Sequence, residues 1–192
     1  MTKGKFIVLY GINNLGKSTQ ARLLVEKLLA QGRKAKYIKY PIYDLEPSGP
    51  LLNNYLREGN TYKLTPKEAQ IIYAFNRAQY EPELKNQLER GIDILAEDYW
   101  GTGVAWGMGA GEDKKFLLEL NSGFLREDLA FLFVGERFAT GLEKDHKHET
   151  DEELIKRVDE AHRDLAKKFG WKIVNANESV EKVNEAIFRL IG

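Results

Sequence analysis

Short apolar runs alternate along the chain with longer amphipathic stretches. Phe6-Ile7-Val8-Leu9-Tyr10 is a continuous β-prone run, the pattern of a strand buried on both faces of a parallel sheet. From Lys17 to Gln31 the apolar positions Ala21, Leu24, Val25, Leu28 and Leu29 recur at helical spacing, and Gly32 stands where a helix stops. Ala35 to Tyr40 reads as a second strand ended by Pro41, and Asp44 to Pro50, rich in proline and glycine, reads as a loop. Thr65-Pro66-Lys67-Glu68 is a helix start, with Thr65 as cap, proline in the first turn and Glu68 placed to reach back. The helix it opens is predicted to run toward Arg90 and close at Gly91, with Pro82 kinking or dividing it. Ile92–Ala96, Leu129–Val134 and Trp171–Val174 are three more short strands. Thr150-Asp151-Glu152-Glu153 predicts the start of a helix that ends at Gly170, and a last helix is predicted from about Ser179 to Leu190. This alternation predicts an α/β fold: a parallel sheet of five strands, layered with helices through right-handed crossovers.

A length of 192 residues fits one domain spanning 1–192, and 43% hydrophobic residues suffice for its core. Lys plus Arg (29) balances Asp plus Glu (29), so no global positive field is present to hold nucleic acid, although a local phosphate pocket is compatible with this balance. The absence of cysteine excludes a disulfide framework, a thiolate zinc site and a cysteine nucleophile. The run that follows Met1-Thr2-Lys3-Gly4-Lys5 is too short for a signal-peptide core or a membrane span, so a soluble, cytoplasmic protein with no membrane partner is expected.

The chemistry is carried by Gly11-Ile12-Asn13-Asn14-Leu15-Gly16-Lys17-Ser18, which matches G-x-x-x-x-G-K-[ST] between a predicted strand and a predicted helix. Glycines let backbone N–H groups converge on phosphate oxygens, and the helix N-terminus adds its partial positive charge. Lys17 then reaches the β and γ phosphates and Ser18 ligates Mg²⁺. Gly11, Asn13, Asn14, Leu15, Gly16, Lys17, Ser18 and Thr19 are thereby the candidate ATP-binding residues. Asp98-Tyr99-Trp100-Gly101 fits the D-x-x-G by which GTPases sense a γ-phosphate, but the chain has no N-K-x-D guanine signature.

Taken with this loop, several segments make the chain resemble the thymidylate kinase family, over nearly its whole length. They are Phe6 to Gln20, Tyr40-Pro41 followed by Leu51 to Leu56, Ile72-Tyr73-Ala74-Phe75-Asn76-Arg77, Tyr99 to Trp106, Leu118 to Val134 and Trp171 to Ala176. The resemblance implies a three-layer phosphate-loop kinase fold with a short lid, transfer of phosphate from ATP to dTMP, Mg²⁺, nucleotide partners and a homodimer. It implies that Tyr73 stacks on the acceptor base and that Arg77, one turn on, hydrogen-bonds its edge, with Asn76 beside them. Asn13 stands where the family has an acidic residue touching the acceptor sugar, and Tyr99 and Gly103 lie in the segment beside the acceptor. Glu97 holds the acidic position at the end of the third strand, where a carboxylate holds Mg²⁺ through water.

The departures concern the acceptor phosphate. Asp98 stands where the family has an arginine, and Tyr43 stands where it has another, two residues after the strand-two proline. Unit charges near a protein surface interact by about 4 kcal/mol at 4 Å, so an aspartate at 98 is expected to repel a monophosphate. Tyr10 and Asn13 also replace acidic residues, and Asn14 brings no arginine into the loop. The candidate lid, 141–150, offers Lys144 and Lys147 as catalytic cations, and Lys36, Lys39 and Arg137 are further candidates for the missing charge. His146 and His148 read as a solvated turn rather than a metal site. Three readings follow: a dTMP kinase, a kinase whose acceptor is another monophosphate or a nucleoside with Asp98 as base, or a nucleotide-binding protein that has lost transfer.

Overall fold

The computed structural model describes residues 2–138 and 151–192. Its elements are β1 (Phe6–Tyr10), α1 (Lys17–Ala30), β2 (Lys34–Lys39), α2 (Ser48–Arg57), α3 (Pro66–Glu89), β3 (Ile92–Glu97), α4 (Trp100–Gly109), α5 (Lys114–Leu120), β4 (Leu129–Val134), α6 (Glu152–Phe169), β5 (Lys172–Asn175) and α7 (Val180–Ile191). The strands form one parallel sheet in the order β2-β3-β1-β4-β5. In the centre, Val8 lies opposite Ala96 on one side and Ala130 on the other. β1 is buried at every position, β3 and β4 at nearly every one, which is why their sequences are unbroken apolar runs. β2 and β5 are the edges, and their lysines face water.

α1 packs on β2, β3 and α7, while α3 packs on β3 and α6 on β4 and α4. An aromatic cluster ties β1 to the α4 layer: Tyr10 stacks on Trp171 at 4.0 Å and meets Trp100 edge-on, and Phe6 meets Tyr99 at 5.1 Å. Among the described residues no helix is long and apolar enough to cross a membrane.

Two local expectations are revised, and two helices were not read. α3 is one helix through Pro82, because Ala74 and Arg77 before the proline and Leu84 and Leu88 after it are all buried, and this packing outweighs one missing backbone bond. The loop assigned to Asp44–Pro50 already turns into α2 at Ser48, with Pro50 in the first turn, where its missing N–H does no harm. α4 and α5 were not read from periodicity. α4 is rich in glycine and apolar on nearly all sides, so it has no polar stripe to betray a helical period. α6 is capped by Asp151, whose side chain accepts from the Leu154 N–H at 2.9 Å, whereas Thr150 lies outside the described residues. By contrast, the reciprocal cap at Thr65 and Glu68 is present as read.

Inside α6, His162 is wholly buried. Its Nδ1 lies 3.0 Å from the Val158 carbonyl, and its Nε2 has no hydrogen-bond partner among the described residues. Burial, reinforced by the positive charge of Lys17 and only partly opposed by the Val158 contact, pushes its pKa down to about 3. The imidazole is therefore neutral in the fold, and in the unfolded chain it binds a proton below about pH 6.5. This group's contribution to stability is complete above pH 6.5 and is lost as pH falls toward 3, by about 1.4 kcal/mol per pH unit. His162→Leu is expected to reduce the stability lost between pH 6.5 and 4.5 by about 2 kcal/mol, read from urea melts at the two pH values. An unchanged acid limb would assign the loss to other groups.

Candidate active site

The sheet delivers the loop after β1 and the turn after β3 side by side, at the carboxyl ends of adjacent strands, where open α/β sheets form ligand crevices. Gly11, at φ 134°, and Gly16, at φ 76°, hold conformations that side chains rarely adopt, and Gly16 leads directly into α1. Among the described residues no side chain caps the start of α1, so its first N–H groups face the loop. Lys17 is nearly buried. Its Nζ donates to the carbonyls of Gly11 at 2.9 Å and Ile12 at 2.8 Å, which curls the ammonium over its own loop.

Beside it, Ser18 Oγ donates to Glu97 Oε2 at 2.5 Å. Glu97 also accepts from the Tyr37 hydroxyl at 2.6 Å and pairs with Lys39 at 3.0 Å. Burial acts to raise the Glu97 pKa, but Lys17, Lys39 and the two hydroxyl donors outweigh it, so the carboxylate stays ionised. Asp98 differs. It sits at φ 61° with Lys17 Nζ 3.8 Å away and Thr102 Oγ1 donating to it at 3.0 Å. Burial and then the adjacent Glu97 raise its pKa despite the lysines. The repulsion expected of Asp98 is therefore moderated, since its charge is turned toward Lys17.

One cavity of about 430 Å³ runs from this loop to the α3 face. Of the sequence-predicted residues it gathers Asn13, Asn14, Leu15, Gly16, Lys17, Ser18 and Thr19 at one end. Glu97, Asp98 and Tyr99 line it together with Tyr43, Tyr73, Arg77 and Gly103. Gly11 does not line it, and acts through its backbone carbonyl. Asn76 is corrected. It is wholly buried outside the cavity, its Oδ1 accepting from Ile42 N–H at 2.8 Å and its Nδ2 donating to Ile42 O at 2.9 Å and Ser48 Oγ at 2.8 Å. It braces the segment that carries Tyr43: neighbouring helical positions point in different directions, and Gln70, Tyr73 and Arg77 share the cavity face while Asn76 does not.

Lys144, Lys147 and the whole candidate lid, with His146 and His148, lie outside the described residues. Of the other cations considered, Lys39 reaches the cavity, whereas Lys36 and Arg137 are not among its lining. Among the lining residues that sequence reasoning missed are Arg57 and Gln70. Arg57 closes α2 with its guanidinium 4.6 Å from the centre of the Tyr43 ring, and nothing in its sequence neighbourhood marks it. Gln70 is one turn before Tyr73 and two before Arg77, so the i, i+3, i+7 spacing was a usable signal. Arg77 itself donates to Asn121 Oδ1 at 2.7 Å, and burial lowers its pKa to about 10, which leaves it a cation at neutral pH.

A parallel sheet with a glycine-rich loop on the first strand, a lysine and serine opening the next helix, and a carboxylate facing them from the neighbouring strand defines a phosphate-loop kinase. The family model for thymidylate kinase matches residues 9–187. The chain is 32% identical to a probable thymidylate kinase from Thermococcus kodakarensis, covering 97% of this chain and 96% of that protein. It is 29% identical to the human thymidylate kinase, over 96% of this chain and 88% of the relative. The solved thymidylate kinase from Candida albicans superposes with a TM-score of 0.84 at 23% identity, covering 98% of this chain and 91% of that one, a likeness of fold. The chain belongs to the thymidylate kinase family, and is thus a nucleoside monophosphate kinase, a phosphotransferase.

Proposed function

We propose that the protein transfers the γ-phosphoryl group of ATP to dTMP, giving dTDP and ADP. The observation that carries this reading is the continuity of one cavity from the phosphate loop to the Tyr73–Arg77 face, which lets a nucleoside monophosphate point its phosphate at ATP. An acceptor phosphate oxygen attacks the γ-phosphorus as its bond to the β-bridging oxygen breaks, so catalysis rests on alignment and charge. Loop amides and Lys17 hold the β and γ phosphates. Ser18 and Glu97 are hard oxygen donors brought together at the loop's mouth, with the Ser18 proton turned into the carboxylate and its lone pairs outward, a set suited to Mg²⁺. Bound there with ATP, Mg²⁺ would supply charge neutralisation for the phosphates.

Tyr73 stacks on the base. Lys39 and Arg57 supply positive charge where the family's arginines are absent, Arg57 lying over the Tyr43 ring. Lys144 and Lys147 join them in this reading as cations at the transferred group. Ile71 and Phe75, exposed and four apart on α3, support a homodimer packed through that helix. A cytoplasmic location accords with ATP as co-substrate. The test is ADP formation from ATP-Mg²⁺ against dTMP, dUMP, other monophosphates and free nucleosides. Turnover is expected with dTMP, and activity confined to another acceptor, or to none, would overturn the reading.

A further inference from the structure

Tyr37 carries a hydroxyl whose work lies outside the nucleotide cavity. In the β2–β3 ladder Lys39 stands opposite Glu97 and Tyr37 opposite Leu95, so Lys39 is the direct and Tyr37 the diagonal neighbour of Glu97 on one face of the sheet. A long side chain spans that diagonal, and Tyr37 Oη donates to Glu97 Oε2 at 2.6 Å. The same oxygen accepts from Ser18 Oγ at 2.5 Å, whereas Lys39 Nζ lies 3.0 Å from Oε1. An ionised carboxylate offers about two acceptor sites on each oxygen. Among the described residues, then, Oε2 is filled by two hydroxyls and Oε1 keeps one site beside Lys39. The ring itself is held by Arg22 of α1, whose guanidinium lies 4.7 Å from its centre. Tyr37 does not line the cavity, so it acts on a bound nucleotide only through Glu97.

We propose that Tyr37 is a positioning residue for Mg²⁺, fixing Glu97 so that Oε1 is the carboxylate oxygen left to receive a water of the ion. This rests on the reading of Ser18 and Glu97 as the Mg²⁺ donors and deepens it. Two hydroxyls on one oxygen, one from the start of α1 and one from the sheet edge, set the plane of the carboxylate. Without Tyr37 Oη the group is left to Ser18 and Lys39, a site on Oε2 falls open, and the acceptor of the Ser18 proton is no longer fixed. The Ser18 lone pairs point outward only while that proton stays in the carboxylate. Hydrogen-bond partners of metal-binding side chains orient them in this way, and losing one typically weakens metal binding about 10- to 100-fold. A purely structural role predicts otherwise, because phenylalanine keeps the ring, its place in β2 and the Arg22 contact, and would leave metal affinity untouched.

The test is Tyr37→Phe, with Mn²⁺ as the probe. Its binding to the enzyme–ADP complex is followed by electron paramagnetic resonance, and ADP binding in EDTA is measured by calorimetry. The Kd for Mn²⁺ is expected to rise about tenfold or more, with the Kd for ADP in EDTA within about twofold of the wild type. In turnover, the Mg²⁺ concentration giving half the maximal rate should rise by a similar factor. An unchanged Kd for Mn²⁺ would overturn the proposal. So would an equal loss of ADP affinity with and without metal, which would make Tyr37 a prop of the phosphate loop. Failure of the Mg²⁺ reading looks different, since Mn²⁺ would then bind the wild-type complex no more tightly than it binds free ADP.

Discussion

Replacing Lys17 by alanine is expected to lower kcat for dTMP phosphorylation about a thousandfold at saturating ATP. Charge on the transferred phosphoryl group must be met by preorganised donors, and losing one of them typically reduces kcat by about 10²–10³. Lys17 stands at the upper end of that range because it is buried at the loop, with two loop carbonyls and Asp98 holding its ammonium at the phosphate end of the cavity. The alanine variant also leaves Asp98 without its closest cation, beside the ionised Glu97, and the remaining field then opposes the phosphates. Steady-state kinetics with dTMP and ATP-Mg²⁺ read the effect directly. A Lys17→Ala enzyme with near-normal kcat would remove the phosphate loop from the mechanism.

The second large effect is on stability. Asn76→Ala removes the partner of the Ile42 N–H and leaves the Ile42 carbonyl and the Ser48 hydroxyl with only long contacts of 3.4 Å to Leu45, at a position with 0% exposure. Each buried polar group stranded in this way costs about 1–3 kcal/mol, so the variant should lose about 4 kcal/mol overall. For a protein of this length that corresponds to a fall of about 12 °C in Tm. Tyr43 follows Ile42 directly and carries Arg57 against its ring, so the KM for dTMP should rise as well. Thermal melts separate this bracing role from a direct one: a raised KM with an unchanged Tm would mean that Asn76 touches the acceptor rather than the fold.

The same residue shows where sequence reading loses resolution. Asn76 and Arg77 are adjacent in the chain, and the resemblance groups them as a pair. A helix turns its side chains by about 100° per residue, so one points into the cavity and the other into the contact between α3 and the segment after β2. Gln70 was open to the opposite inference, since its spacing from Tyr73 and Arg77 is a helical one. Only the glycines of α4 show that the Gln70 side chain has room beside Arg77. The charge balance at Asp98 was equally hidden: the aspartate reads as a repulsive group until its distances to Lys17 and Thr102 are known.

By itself the sequence determined the strands β1, β3 and β4, whose apolar runs have no stable place except inside a sheet, the helices whose apolar faces repeat at their period, and the phosphate loop. These are local properties, set by burial pattern and backbone conformation over a few residues. The tertiary structure decided which strand lies beside which, and so brought Glu97 to Ser18 across the sheet and Lys39 to Glu97 from its edge. It also decided that Pro82 does not divide α3, that Arg57 lies over Tyr43 and that Gln70 shares its space with Arg77. Such contacts depend on packing between elements far apart in the chain, where the free energy of burial overrides local preference and no short-range pattern records the outcome.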